Sequence, residues 1–241
     1  STVLADAPAI KVHRDGLRVT KIEYGRGRER RIIEGDQYIS TIPITALAKS
    51  VSPPAPPEVR AALSKLRYVS IVFVYLKINK PQVSPDNWVY LPEKELRVHR
   101  ISEFKNFSAK CAPPGKTLIC AEITCRSGDE TWRADVETLR DMAVTDLEKV
   151  GLIKRHEVLD AFVKRIPFAY PVYDLEYKEH LTPVREFIDS LENIETGGRQ
   201  GLFRYNNMDQ SVEMGREMGL SIVEHRATGH EQVATEFTYF G

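Results

Sequence analysis

Four of the six residues from Ser52 to Pro57 are proline, and that run divides the chain into two textures. Each proline fixes φ and removes a backbone donor, so the segment is a stiff, extended linker that neither a central strand nor a helix interior accommodates. Upstream of it the pattern is β. Lys11-Val12-His13-Arg14 and Leu17-Arg18-Val19-Thr20-Lys21-Ile22 flank Asp15-Gly16, a strong hairpin signal. Gly25 to Arg30 reads as a charged, solvated turn. Arg31-Ile32-Ile33 and Gln37 to Ile42 resume the strands until Pro43 stops the last one. Residues 1–52 are therefore expected to form a β-meander followed by a strand that ends in a loop.

Downstream, Val59, Leu63 and Leu66 recur at helical spacing, which predicts a helix over 57–67. Val69 to Ile78 is apolar on both alternating faces and reads as a fully buried strand. Thr117 to Cys125 predicts another strand, and Ala161 to Ile166 a further one that ends at Pro167. Val136, Leu139, Ala143, Leu147 and Val150 line one face of a helix closing at Gly151. Residues 53–175 thus read as a mixed α+β domain around a sheet. Leu181, Val184, Phe187 and Leu191 mark the next helix, which leads to a short strand at Asn193-Ile194-Glu195. From Glu224 onward the tail shows no clear period, and His225 and His230 read as solvated.

That strand feeds Gly197-Gly198-Arg199-Gln200-Gly201-Leu202-Phe203-Arg204-Tyr205-Asn206-Asn207-Met208-Asp209-Gln210, with a helix-like run beyond it from Ser211 to Gly219. Glycines allow a backbone to approach a ligand closely. A helix start offers N–H groups and the positive end of a dipole. Arg199 and Arg204 bring charge, while Phe203 and Tyr205 bring flat surfaces. Together these describe a cofactor cradle, although an ordinary connection with a glycine and an Asn cap shares some of the same features.

The remaining sequence narrows the function by exclusion. At 241 residues the chain suits one or two domains, and its 42% hydrophobic and 28% charged content is that of a globular protein. Lys+Arg and Asp+Glu both number 34, so nothing points to nucleic acid or an anionic membrane surface. No apolar run approaches the roughly 20 residues of a membrane span, and no leader peptide is evident. Cys111, Cys120 and Cys125 lack a disulfide-framework spacing, which favours a reducing compartment and a cytoplasmic location. No metal-ligand spacing, Gly-x-Ser-x-Gly elbow or Gly-x-Gly-x-x-Gly is present, so no catalytic acid, base or nucleophile is assigned. The start at Ser1-Thr2-Val3, with strand-like sequence soon after, suggests the back part of a longer protein.

Two further clusters carry ligand chemistry. Arg97 to Phe107 mixes cations with aromatics, as a solvated edge strand or a site for an anionic, ring-bearing ligand would. Phe168-Ala169-Tyr170-Pro171-Val172-Tyr173-Asp174 holds Tyr170 extended before a proline, with core packing as its other reading. Taken in order, these clusters and the glycine segment resemble the second half of flavoproteins related to UDP-galactopyranose mutase, within the amine oxidase and protoporphyrinogen oxidase superfamily. The matches are Arg100 to Phe107, Tyr170-Pro171-Val172, Gly198-Arg199, Phe203-Arg204-Tyr205 and Asn207-Met208-Asp209-Gln210, with Tyr38 to Pro43 as a returning strand. The resemblance spans about residues 10–219. Departures lie at Asn206, where mutases usually carry Tyr, at Asp209, where they often carry His, and at Leu202-Phe203, which conform in part.

The resemblance implies an α+β or α/β fold: the C-terminal portion of a two-domain, glutathione-reductase-like FAD protein with a mixed-sheet substrate domain. Its N-terminal Gly-x-Gly-x-x-Gly unit is absent from this chain. Residues 1–52 and 176–241 would complete the flavin domain, and 53–175 would form the substrate domain. By the same carry-over Gly198, Arg199, Asn207, Met208 and Asp209 would bind FAD, and Arg100, Tyr170 and Tyr205 would bind substrate. The implied activity is hydride transfer between flavin and a small polar or sugar-like molecule. A mutase-like isomerisation of a nucleotide sugar and a non-catalytic nucleotide-binding or scaffold role are the alternatives. Residues 1–241 alone are expected to be inactive, to bind FAD weakly or not at all, and to form a homodimer or rely on 53–175 for stability.

Overall fold

The computed structural model describes residues 2–227 and 229–233. In chain order its first elements are β1 (Ala9–Asp15), β2 (Arg18–Arg26), β3 (Glu29–Ile33), β4 (Tyr38–Ser40), α1 (Ile44–Ser50), β5 (Val51–Ser52) and α2 (Pro57–Leu63). Asp15 pairs with Arg18, and Gly16 takes a φ of +56° in the intervening turn, so the Asp-Gly hairpin forms where the sequence put it. The sheet order is β3-β2-β1-β5, with β5 parallel to β1. β4 ends at Ser40 in a short loop, as expected, and that loop is closed by Pro43. That proline stands just before α1, where a missing N–H costs nothing, and Ile44, Leu47 and Ala48 bury that helix. Pro57 is likewise the first residue of α2, which ends at Leu63 and is shorter than predicted.

Next come β6 (Tyr68–Ile78), β7 (Trp88–Tyr90), β8 (Val98–Glu103), α3 (Phe104–Phe107), β9 (Thr117–Cys125), α4 (Glu130–Arg133), α5 (Val136–Lys149) and β10 (Val158–Pro171). They form a five-stranded sheet of order β10-β6-β9-β8-β7. Leu139, Ala143, Val144 and Leu147 of α5 close one face, packing with Val72, Val74, Leu76 and Ile78 of β6 and Ile119, Ala121 and Ile123 of β9. The expectation of a fully buried β6 fails on its other face. There Phe73 and Tyr75 are half-buried and Lys77 is exposed, because aromatic side chains replace a second helical layer. The strand expected to end before Pro167 continues through it. β10 is an edge strand, where proline's lack of a donor is tolerated, and the Pro167 carbonyl accepts from Ser70 Oγ at 2.9 Å. β8, by contrast, is not an edge, since β7 pairs outside it.

The last elements are α6 (Tyr177–Asp189), β11 (Ile194–Thr196), α7 (Gly198–Gly201) and α8 (Met208–Glu224). β11 lies parallel to β4 with Ile194 opposite Tyr38 and Thr196 opposite Ser40. Asn193 locks this pair to the meander: its buried side chain accepts from Val19 N at 2.8 Å and donates to Val19 O at 2.9 Å and Asp36 O at 3.2 Å. The chain separates into two compact units, Ser1–Arg67 with Pro171–Gly241, and Tyr68–Tyr170. These boundaries differ from the predicted 52/53 and 175/176 because α2 packs against α6, which draws residues 53–67 into the first unit.

Candidate functional site

The candidate residues fall in both units. In the second, Arg100 of β8 lies opposite Glu122 of β9 on the sheet face that α5 leaves uncovered. Its Nε donates to Glu122 Oε1 at 3.0 Å and its Nη2 to Oε2 at 2.8 Å, a bidentate pair on a carboxylate that is 4% exposed. Arg100 Nη1 reaches Tyr90 Oη at 3.3 Å and Nη2 reaches Tyr170 Oη at 3.4 Å. The guanidinium also sits 5.6 Å from the Tyr90 ring centroid. Burial works against the guanidinium charge, but the Glu122 hydrogen bonds outweigh it and raise the Arg100 pKa. Burial lowers the pKa of neighbouring His99, whose Nε2 is 3.8 Å from Glu122 Oε2. Tyr75 is sandwiched between Phe162 at 4.5 Å and Phe104 at 6.0 Å, and burial raises its pKa.

This face brings Arg100 and Tyr170 together. It adds Glu122, Tyr90 and Tyr75, which sequence reasoning passed over, and His99, which lies within the Arg97 to Phe107 cluster. A lone carboxylate inside the apolar run Leu118 to Ile123 was the signal that would have found Glu122. Chemically, the face offers stacking surface and a hydrogen-bonding cation whose charge is largely balanced by its own partner.

In the first unit β11 runs into the glycine segment. The three glycines there have different roles, which corrects the reading of all of them as ligand-facing. A Cβ on Gly197 would collide with the Met218 sulfur of α8, and one on Gly201 would lie 2.7 Å from Thr196 Oγ1 and 3.3 Å from Ser40 O. Both are glycine so that α7 and α8 can close onto the ends of β11 and β4. Gly198 alone of the three has a positive φ, +73°, and its Cβ position meets no atom within 4 Å. It turns the chain while leaving space beside the backbone.

Arg199 braces the following loop. Its Nη1 donates to Asn206 O at 2.8 Å and its guanidinium lies 5.3 Å from the Tyr205 ring centroid. Phe203 is not an offered surface. It is 1% exposed, takes a φ of +54°, and its carbonyl accepts from Tyr173 Oη at 2.9 Å. Tyr205 Oη donates to Pro171 O at 2.7 Å, so its ring rather than its hydroxyl is presented. His230, expected in solvent, is 2% exposed with Nε2 2.9 Å from Thr196 O.

Asn207 caps α8, whose first turn, at Met208 and Asp209, begins three residues earlier than the helix-like run read from Ser211. The Asn207 N–H donates to Gln210 Oε1 at 2.8 Å in a capping box. The first amides of α8, on Met208 and Asp209, have no intrahelical acceptor. Met208 is 86% exposed, and Asp209 places a negative charge that the helix dipole favours. Nearby, Ser40 Oγ, Glu195 Oε2 and Asn206 Oδ1 are buried and lack a hydrogen-bond partner. Among the described residues no group of three His, Cys, Asp or Glu side chains could hold a metal ion, and no helix is long and apolar enough to cross a membrane.

Residues 1–194 match the family described as flavin containing amine oxidoreductase. The fold superposes on reduced UDP-galactopyranose mutase with a TM-score of 0.79 at 22% identity, covering 96% of this chain and 48% of that one. Putrescine oxidase bound to putrescine gives 0.58 at 15% identity, over 90% of this chain and 48% of the other. An oxidoreductase from Methanosarcina mazei gives 0.55 at 17%, over 82% and 46%. At such identities the likeness is one of fold, and the chain spans about half the length of these structures. No curated protein sequence matches it. With most of its length matched by the family and its fold laid over half of several flavoprotein structures, the chain belongs to the flavin-containing amine oxidoreductases.

Proposed function

We propose that this chain is the C-terminal part of an FAD-dependent oxidoreductase that moves hydride between flavin and a small polar or sugar-like substrate. The observation that carries this reading is the sequence of β11, the open left-handed turn at Gly198 and the capped start of α8. The residues fit a flavin. Gly198 leaves space, the Met208 and Asp209 amides point from a helix N-terminus, and buried Asn206 Oδ1 lacks a donor. When bound, FAD supplies the hydride chemistry. Gly198, Arg199 and Asn207 to Asp209 would hold and orient it, with the α8 N-terminus favouring negative charge on the bound ring. Arg100 and Tyr170 would fix the substrate's polar groups, with Glu122 orienting the guanidinium. A Gly-x-Gly-x-x-Gly unit for the pyrophosphate would lie in the other half of the fold.

Anaerobic mixing of the full-length protein with candidate substrates should bleach the flavin absorbance. A full-length protein purified without flavin would end the proposal. The Arg100–Tyr170 contact also favours a second reading, flavin-dependent isomerisation of a nucleotide sugar, in which these groups hold a diphosphate. On that reading Arg100→Ala weakens UDP-sugar binding severely; unchanged affinity would exclude it.

A further inference from the structure

We infer that His230 is a positioning residue for the turn at Gly197 and Gly198: its ring sets the plane of the peptide from which that turn starts, and with it the backbone offered to the flavin. The inference deepens the flavin reading of the glycine segment and rests on it. The Thr196–Gly197 peptide is held on both sides. Its N–H, that of Gly197, donates to Ser40 O at 3.0 Å, and its carbonyl, that of Thr196, accepts from His230 Nε2 at 2.9 Å. A carbonyl cannot donate, so Nε2 carries the proton of that bond. Thr196 and His230 are both buried, and a buried carbonyl left without a donor is costly.

The residues that follow have no side chains to hold them. Two successive glycines have more backbone freedom than any other pair, so the shape of the turn has to come from its neighbours. Gly198 takes its φ of +73° in open space, with no atom within 4 Å of its Cβ position. At Gly197 the place of a side chain is filled by Met218 and by the His230 ring, whose Cδ2 lies 3.5 Å from the Cβ position. Beyond the turn, Thr196 Oγ1 donates to Gly201 O at 3.0 Å.

His230 is itself anchored. It opens a short 3-10 turn, His230–Gln232, that two other elements grip. Arg204, in the loop after α7, donates from Nη1 to Glu231 O, and Arg185 of α6 pairs with the Glu231 carboxylate. The Arg185 side chain is only 15% exposed, so this ion pair is shielded from solvent on the arginine side. A leucine would serve packing alone. The aimed Nε2 and the bracing of the next residue are what a hydrogen-bonding role requires.

The test uses the full-length protein with His230→Leu, which keeps bulk but cannot donate, and His230→Gln, whose side-chain amide can donate to Thr196 O. In the flavin-free form, amide exchange over 197–201 should accelerate about tenfold in His230→Leu and return to within about twofold in His230→Gln, with exchange in α5 unchanged. In the loaded form the flavin dissociation constant should rise about tenfold in His230→Leu and recover in His230→Gln. The flavin reduction potential should shift in His230→Leu alone. Unchanged exchange or unchanged flavin affinity in His230→Leu would overturn the inference. So would His230→Gln behaving like His230→Leu, which would reduce the ring to packing, or faster exchange throughout residues 1–67 and 171–241, which would mean general loosening. A full-length protein that never holds flavin would end the flavin reading, and exchange over 197–201 would then decide the hold of His230 on the turn by itself.

Discussion

Both carboxylate oxygens of Glu122 accept hydrogen bonds from Arg100, at 3.0 and 2.8 Å, across the β8–β9 register that sets the two residues opposite each other. The carboxylate is buried while Arg100 is partly exposed, so Glu122 fixes the guanidinium plane rather than the reverse. Glu122→Gln should lower stability by about 1.5–3 kcal/mol, the range for hydrogen bonds to charged groups. Replacing both partners, as in Arg100→Met with Glu122→Leu, should cost less than either single change, because no lone charge is left behind. Urea unfolding of Glu122→Gln, the two single changes and the double variant checks this.

His99 gives the second unit a pH dependence of known sign. Burial holds its folded pKa below the ordinary 6.5, so the unfolded chain binds the proton more readily. Its contribution to stability is complete above that ordinary value and is lost as pH falls through the lowered folded value. Stability should therefore rise with pH through the range just below 6.5, and His99→Gln should flatten that part of the profile. Chemical denaturation at a series of pH values decides it.

Gly201 and Gly198 should respond differently to alanine. At Gly201 the new methyl meets Thr196 Oγ1, itself bonded to Gly201 O at 3.0 Å, so neither can yield easily. The expected loss is about 1–3 kcal/mol from overpacking. At Gly198 there is no clash, only the left-handed backbone, costing about 1–2 kcal/mol. Thr196→Ala should partly relieve the first and leave the second unchanged, as thermal melts would show.

Arg199→Ala removes the hydrogen bond to Asn206 O and the stacking on Tyr205. Amide exchange between residues 202 and 207 should accelerate, and flavin retention by the full-length protein should fall by about tenfold if roughly 1.4 kcal/mol of loop order is lost. Mass spectrometry and flavin dialysis measure the two effects.

The three cysteines should separate by reactivity. Burial pushes the Cys120 thiol up to about 12 and Cys125 up to about 11, whereas Cys111 is exposed. At pH ~8 a thiol reagent should find one fast site, and Cys111→Ser should remove it.

Local signals were enough for the elements whose causes are local. Asp15-Gly16 specified a hairpin and the apolar spacing from Val136 to Leu147 specified α5, whereas α8 starts at Met208, three residues before the run read from Ser211. The glycine segment and the Arg100 cluster were legible as chemistry because side-chain type survives in the linear sequence. Only tertiary structure decided that Gly197 and Gly201 serve packing, that β6 leaves one aromatic face uncovered, and that Glu122 is the partner of Arg100. Those facts depend on strands distant in sequence coming into register, and period and composition carry no record of which distant neighbour fills a given space.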